Sequence, residues 1–372
     1  MGLIATISED VAPPRILADS ARMEYLADEL AACGYNFSSC ANRLGVFPRL
    51  GVNFWPVLRQ KWIPDEDDPV DTLLELFIDG HVVPFDRLRK HLSKPIIDTV
   101  LESGLAEESG ANLLSKLCLF PCYGKFIVTD RACKNAAINQ VMWLWAESYI
   151  LGGVVKRIPR RRALDLGAGS GVHAILASDH CERVVAVDIN PRALEFARFN
   201  AAMNGVNNIE FVLGDLFDSV DSTFDLLLAN PPYLPDQASV AGANFWSGGI
   251  AGSEILRRIV HELPTRLDHD GTAHIIALYP NPPRTSTRDH FNTWLIGGLD
   301  NYQVLDQTWP VPNFQDLLTE RPFDGDKSAW RFGPISLRPS ETGKGWWEEV
   351  GGPGIFFRND GSCRVIADHD NA

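Results

Sequence analysis

Three glycines at positions 167, 169 and 171 fall within the run Asp165-Leu-Gly-Ala-Gly-Ser-Gly171, directly after an apolar segment and directly before a helical one. Glycine lets a backbone turn through positive φ and approach a ligand closely, and a helix start offers amides to a negative group, a carboxylate for example. A dinucleotide fingerprint would place its third glycine at position 172, where this chain has Val172, so the spacing disfavours a nicotinamide dinucleotide. About twenty residues further on, Asp188 ends the next apolar run. A carboxylate there can accept both hydroxyls of an adenosine ribose, or it can cap the helix that starts at Pro191. In Gly214-Asp215-Leu216-Phe217 a third carboxylate can accept from an adenine amino group, with apolar side chains flanking the ring. The alternative for Asp215 is a plain turn residue.

Asn230-Pro-Pro-Tyr233 follows the apolar run Phe224–Leu228. Proline has no N–H and a fixed φ, so Pro231 and Pro232 leave carbonyl oxygens as acceptors. An NH₂ group can then give one hydrogen to the Asn230 side-chain oxygen and one to the Pro231 carbonyl. Such a clamp orients the nitrogen and raises its electron density without a strong base. Tyr233 can stack on a planar amide or base, with Pro232 beside it, and Trp246 lies on a loop that must pass over the acceptor. The plainer reading of the tetrapeptide is a turn that ends a strand.

These residues need a scaffold. From Ala163 onward apolar strands alternate with amphipathic helices, which predicts an α/β, doubly wound, mostly parallel sheet. Strands are expected at 163–166, 184–187, 210–213, 224–228 and 273–278, closed by 303–306 and 363–366; helices are expected at 191–200 and 253–263. Between the closing strands, Pro310 to Gly354 is rich in Pro, Gly and Trp and has no assignable pattern. Phe126–Asp130, a helix near Asn135 to Ser148, and Trp143 and Trp145 precede the first sheet strand. The two tryptophans fit a pocket wall or a domain-joining core. Residues 15 to 110 read as short helices at 21–33, 70–77, 85–92 and 95–101, followed by a turn and a β-wing, an order similar to a winged-helix module. Its would-be recognition segment carries one Lys against Asp98 and Glu102, which favours packing or a lid over nucleic-acid reading. The division expected is a mainly helical N-terminal domain over residues 1–125 and the α/β domain over 126–372.

The four blocks Asp165–Gly171, Val187-Asp-Ile-Asn190, Gly214-Asp215 and Asn230–Tyr233, in that order, resemble the class I S-adenosylmethionine-dependent methyltransferases of the N-P-P-Y group. That group includes the release-factor glutamine methyltransferases and base-amino methyltransferases of RNA and DNA. The resemblance covers about residues 125 to 280, and Gly248–Gly252 continues it. It implies a seven-stranded sheet and S-adenosyl-L-methionine as cofactor, held by Asp165, Gly167, Ala168, Gly169, Gly171, Asp188, Ile189, Gly214, Asp215, Leu216 and Asn230. It also implies catalysis by Asn230, Pro231 and Tyr233, with the acceptor against Pro232, Tyr233 and Trp246. The longer N-terminal portion and the tail from Pro310 to Ala372 depart from the glutamine-methyltransferase pattern and leave the acceptor open.

The formal charge of −14 opposes a partner that presents many phosphates. One basic cluster, Lys156, Arg157 and Arg160–Arg162, reads as a solvated loop or as a phosphate contact. Seven scattered cysteines suggest neither a disulfide framework nor a metal site, no apolar run approaches a membrane span, and a cytoplasmic location is expected. The expectation is therefore N-methylation of an amide or amino group on a small molecule, peptide or protein. An RNA exocyclic amine, adenine N6 or guanine N2, and a winged-helix regulator with a vestigial methyltransferase domain are the alternatives. The sequence leaves the oligomeric state open.

Overall fold

The computed structural model describes residues 11–44, 62–131, 137–236, 247–250, 252–281, 286–311, 329–340, 342, 344–349, 354–357 and 363–366. Helices Ala21–Ala32, Phe37–Leu44 and Pro69–Leu74 come first, the last continuing as a π turn to Asp79. Strand β1 (Val83–Pro84), helices Phe85–Leu88 and Lys94–Glu102, and strands β2 (Glu107–Ser109) and β3 (Asn112–Leu114) follow, with the strands ordered β1-β3-β2. Next comes a hairpin of β4 (Leu117–Cys122) and β5 (Lys125–Asp130), turned by Tyr123 and Gly124 at φ 50° and 82°, the double positive φ of a tight two-residue loop.

The main sheet uses β6 (Arg160–Leu166), β7 (Cys181–Asp188), β8 (Ile209–Leu213), β9 (Phe224–Ala229), β10 (Leu267–Asn281), β11 (Tyr302–Asp306), β12 (Trp309–Val311), β13 (Ala329–Pro339) and β14 (Trp346–Glu349). Their order is β14-β11-β13-β10-β9-β6-β7-β8, with β12 beside β13. The run from β8 to β10 is parallel throughout, and β13 is antiparallel to both β10 and β11. Every residue of β9 is buried, as a strand with helices on both faces requires. Helices Val172–Ser178, Pro191–Met203 and Glu254–Arg266 make the crossovers. Chain direction across the sheet reverses between β6 and β9, so the loops leaving their C-terminal ends flank one crevice.

The doubly wound, mostly parallel sheet is present, but it has nine strands, not seven. Its antiparallel closing strand is β13, inside the stretch that had no readable pattern, because Gly333 and Pro334 interrupt the apolar alternation of a strand. The expected closing strand at 363–366 is instead β16 (Cys363–Ile366), paired with β15 (Gly354–Phe357) in a separate hairpin. The helix expected near 135–148 is Ala146–Val154; residues 132–136 lie outside the described residues, and 137–145 are not helical. Tertiary hydrogen bonds hold that segment open: Val141 N donates to Asp130 Oδ2 at 2.7 Å, Asn190 Nδ2 to the Asn139 carbonyl at 2.8 Å, and Gln140 Nε2 to the Arg131 carbonyl at 2.8 Å.

The N-terminal helices bury Met23, Leu26, Leu30, Leu73, Phe77, Ile96 and Val100 in one core with Ala193, Phe196, Phe199 and Met203 of the crossover helix. Phe196 is fully buried, and the Arg192 guanidinium lies 4.8 Å from its ring centroid. Phe196→Ala should cost about 3–5 kcal/mol in denaturant unfolding. A cost below about 1 kcal/mol would contradict the shared core. Among the described residues, no helix is long and apolar enough to cross a membrane.

Candidate active site

The glycine loop leaves β6 and is tied to the end of β7. Asp188 accepts from Gly169 N at 2.7 Å and Asn190 N at 2.8 Å, while Ala168 N donates to the Val187 carbonyl at 3.0 Å. Gly167, Gly169 and Gly171 all have positive φ, and a Cβ on Gly171 would lie 2.8 Å from Ala197 Cβ, so any side chain there would push the loop off the crossover helix. The helix cap expected as an alternative role for Asp188 belongs to Asn190, whose side chain accepts from Arg192 N at 3.0 Å. Asp188 is therefore left as a buried carboxylate whose oxygens each keep acceptor capacity, and burial raises its pKa.

Asp165 is also buried. One oxygen accepts from Ala174 N at 2.9 Å, inside the first turn of the following helix; the other, Oδ1, is buried with no hydrogen-bond partner among the described residues. Burial pushes its carboxyl up to about 7, with Asp188 adding to the shift and the Ala174 amide opposing it. The folded chain thus keeps a proton that the unfolded chain loses near pH ~4. The stabilising share is complete below that pH and is lost as pH rises through about 7. Asp165→Asn should therefore gain thermal stability relative to the parent chain between about pH 5 and about pH 8. Parallel melting curves across that range would remove the assignment.

On the far side of β7, Asp215 is gripped by Arg258 at 2.9 and 3.2 Å, a partner on the helix Glu254–Arg266 that no local pattern points to. Leu216 adopts φ +51°, an uncommon conformation for a branched side chain and a sign of a backbone held by its surroundings. Phe217 is core, so the apolar groups beside Asp188 and Asp215 are Ile189, Leu213 and Leu216. A Cβ on Gly214 would lie 2.3 Å from Ser219 Oγ, which explains glycine there.

Asn230 ends β9 across the crevice from the glycine loop. Its Oδ1 is buried and has no hydrogen-bond partner among the described residues. Pro231 is buried; Pro232 and Tyr233 are half-buried. The Tyr233 ring meets Phe332 of β13 edge-on at 5.7 Å, and burial together with the Glu147 carboxylate raises the pKa of its hydroxyl well above the usual phenol range. The glycine-rich segment crosses directly over this turn. Gly248 N donates to the Leu234 carbonyl at 2.8 Å, and a Cβ on Gly248 or Gly252 would lie 2.8 Å from Tyr233 Cα or 2.7 Å from its carbonyl oxygen. Trp246 lies outside the described residues. Trp143 and Trp145 are half-buried with ring centroids 6.2 Å apart, and Trp143 packs on the core beneath the β4–β5 hairpin.

The basic cluster lies at the opposite end of the sheet. Arg160 begins β6 and Leu166 ends it, a span of about 20 Å at ~3.3 Å per residue. Its charges serve the fold: Arg161 reaches Asp225 at 3.4 Å, Asp268 at 3.1 Å and Asp270 at 3.4 Å, and Arg162 and Arg157 lie over Phe224 and Tyr123.

Residues 148–305 match the family described as Methyltransferase small domain. The chain is 40% identical over 124 residues to a Methanocaldococcus jannaschii protein provisionally named a protein N5-glutamine methyltransferase, covering 32% of this chain and 62% of that one. It is 38% identical over 122 residues to the ribosomal protein uL3 glutamine methyltransferase of Bradyrhizobium diazoefficiens, covering 30% and 38%. It is 40% identical over 83 residues to the release factor glutamine methyltransferase of Deinococcus radiodurans, covering 22% and 30%. The matched region spans less than two thirds of each relative's own length.

Proposed function

We propose that this chain, which carries a methyltransferase small domain over residues 148–305, N-methylates the side-chain amide of a glutamine in a protein, with S-adenosylmethionine as the methyl donor. The observation that carries the reading is the buried Asn230 Oδ1, without a hydrogen-bond partner among the described residues, directly after β9 and beside the sheet's reversal point. A buried acceptor without a donor is costly, and an incoming NH₂ group satisfies it.

The residues present fit the cofactor. Asp188 would take the ribose hydroxyls; Asp215, with Ile189 and Leu216, the adenine; Asp165 and the Gly167–Gly171 loop the remaining polar end. The buried, unpartnered Asp165 Oδ1 matches a ligand that brings donors. When bound, S-adenosylmethionine supplies an electrophilic methyl group on a sulfonium. Asn230 Oδ1 and the Pro231 carbonyl accept the two amide hydrogens and turn the nitrogen toward the crevice. Neither oxygen is basic enough to remove a proton from the amide beforehand, so their work is orientation and polarisation. The nitrogen, made cationic and strongly acidic by the methyl it gains, gives its surplus proton to water. Tyr233 and Pro232 press on the plane of the amide.

A protein acceptor also agrees with the charge. The basic residues Arg160–Arg162 lie about 20 Å from the crevice, and Arg161 is paired there with Asp225, Asp268 and Asp270. In the N-terminal helix Lys94–Glu102, Lys94 pairs with Asp98 at 2.6 Å and Glu102 with Arg22 at 2.7 Å, leaving no basic face for a groove. We read residues 1–125 as a winged-helix-like unit that braces the crossover helix. Incubation with labelled cofactor and glutamine-bearing release-factor or ribosomal-protein substrates, followed by peptide mass spectrometry, should place one methyl on a glutamine. Label found only in RNA nucleosides would replace this reading with base-amino methylation, and cofactor binding with no transfer to any acceptor would favour a regulator.

A further inference from the structure

Asp215 differs from the two other carboxylates at the crevice in what holds it. Asp165 and Asp188 are buried and accept from backbone amides, at 2.9 Å from Ala174 N and at 2.7 and 2.8 Å from Gly169 N and Asn190 N. The Asp215 side chain is 42% exposed, and among the described residues the hydrogen bonds that reach its carboxylate both come from one side chain, Arg258, at 3.2 Å to Oδ1 and 2.9 Å to Oδ2. The backbone here is fixed independently. Gly214 N donates to the Asp188 carbonyl at 3.1 Å, and Asp218 N to the Asp215 carbonyl at 3.1 Å. What the backbone leaves open is the rotation of the carboxylate about Cβ–Cγ, which is broad for an unheld Asp.

Arg258 closes that freedom from a firm base. Its helix, Glu254–Arg266, buries Leu256, Ile259, Val260 and Leu263 in the same core as Phe217, which follows Asp215 in the same turn. The two parallel bonds of a guanidinium–carboxylate fork set the plane of the carboxylate as well as its position. Each oxygen keeps a second lone pair, so the fork holds Asp215 without exhausting its acceptor capacity. A half-exposed ion pair of this kind contributes little to stability. We infer that Arg258 is a positioning residue for the cofactor site, fixing the Asp215 carboxylate so that a free lone pair stays aimed at the amino group of adenine. The inference rests on the proposed place of Asp215 at the adenine and is independent of which acceptor is methylated.

Equilibrium titration of the full chain compares S-adenosylhomocysteine with its 6-deamino analogue, in which hydrogen replaces the amino group. The variants are Arg258→Ala, Arg258→Lys, Asp215→Ala and the Arg258→Ala/Asp215→Ala double. Melting curves check that each is folded, and loss of a half-exposed pair should move the midpoint by no more than about 3 °C. The parent should bind the amino form about 10–100-fold more tightly than the analogue, the effect of one hydrogen bond to a charged group. Arg258→Ala should reduce that ratio to about threefold or less and leave affinity for the analogue within about twofold of the parent, because only the amino group needs an oriented carboxylate. Arg258→Lys should resemble Arg258→Ala, since an ammonium keeps the charge and lacks the fork. The double variant should bind no more weakly than Asp215→Ala, as both changes act on one contact. A parental ratio in Arg258→Ala, with the ratio lost in Asp215→Ala, overturns the positioning role and leaves Asp215 at the adenine. A parental ratio in Arg258→Lys overturns it too, by making charge and not orientation the contribution. Tighter binding of the amino form by Arg258→Ala would show a guanidinium that competes with the ligand, the opposite of the inference. If Asp215→Ala keeps the parental ratio, the adenine assignment fails and the inference falls with it.

Discussion

Asn230→Ala should lower the single-turnover methylation rate by about 10²–10³-fold and leave cofactor affinity within about twofold of the parent. Asn230 Oδ1 is buried with no hydrogen-bond partner among the described residues, so removing that oxygen breaks no hydrogen bond that the described residues make to it. The loss falls on the acceptor alone: the NH₂ keeps the Pro231 carbonyl but loses the second anchor that sets its rotation, and the nitrogen spends most of its time facing away from the crevice. Tyr233 and Pro232 still hold the plane, so the acceptor KM should rise far less than kcat falls. Equilibrium titration of the cofactor, run beside the kinetics, separates the two halves of the claim. A variant that turns over at the parental rate would refute the amino clamp, and one that has also lost cofactor binding would move Asn230 to the cofactor side.

Asp188→Ala should weaken S-adenosylmethionine binding by about 10²–10³-fold, the effect of losing one or two hydrogen bonds to a buried charged group. Two contributions add. The carboxylate would accept the ribose hydroxyls, and it already holds Gly169 N at 2.7 Å and Asn190 N at 2.8 Å. Without it the glycine loop loses its tether to the end of β7, and the bound shape of the site must be reassembled by the ligand. Asp188→Asn should fall between parent and Ala, since the amide keeps one acceptor and turns its NH₂ toward donors. Isothermal titration on folded protein decides the matter: equal affinities for parent and Ala variant would leave Asp188 with a structural role only. Measuring the demethylated product as well makes the test independent of the sulfonium charge.

The readable parts of the site share one property: their chemistry follows from residues close together in the chain. Asp165 to Gly171 is a strand end, a turn and a helix start, and its glycines are required by local backbone angles and by the approach of Ala197. Asp188 and Asn230 sit at the ends of apolar runs, and parallel strands buried on both faces advertise their ends by the sudden appearance of polar residues. The misassigned parts depend on distant neighbours. Residues 137–145 have the composition of a helix start, but Asp130 and Asn190 claim their backbone groups. In β13, Gly333 and Pro334 hide a strand that exists because β10 and β11 both have open edges beside it.

Glu147, Arg258 and Phe332 show the same limit within the site. Each is an ordinary residue in its own segment, with no spacing that marks it, and each reaches the crevice from another element: Arg258 grips Asp215 across 43 positions, and Phe332 meets Tyr233 from a strand almost a hundred residues on. The sequence by itself determined the sheet's parallel half, the loop geometry and the residues we propose to face a nucleoside and an amide, because backbone angles, hydrophobic period and functional-group chemistry are local properties. The tertiary structure alone decided which edge the sheet closes on, that Asn190 and not Asp188 caps the crossover helix, and which side chains hold Asp215 and Tyr233. Those outcomes are set by competition for hydrogen-bond partners and buried volume among groups that meet only once the chain has folded.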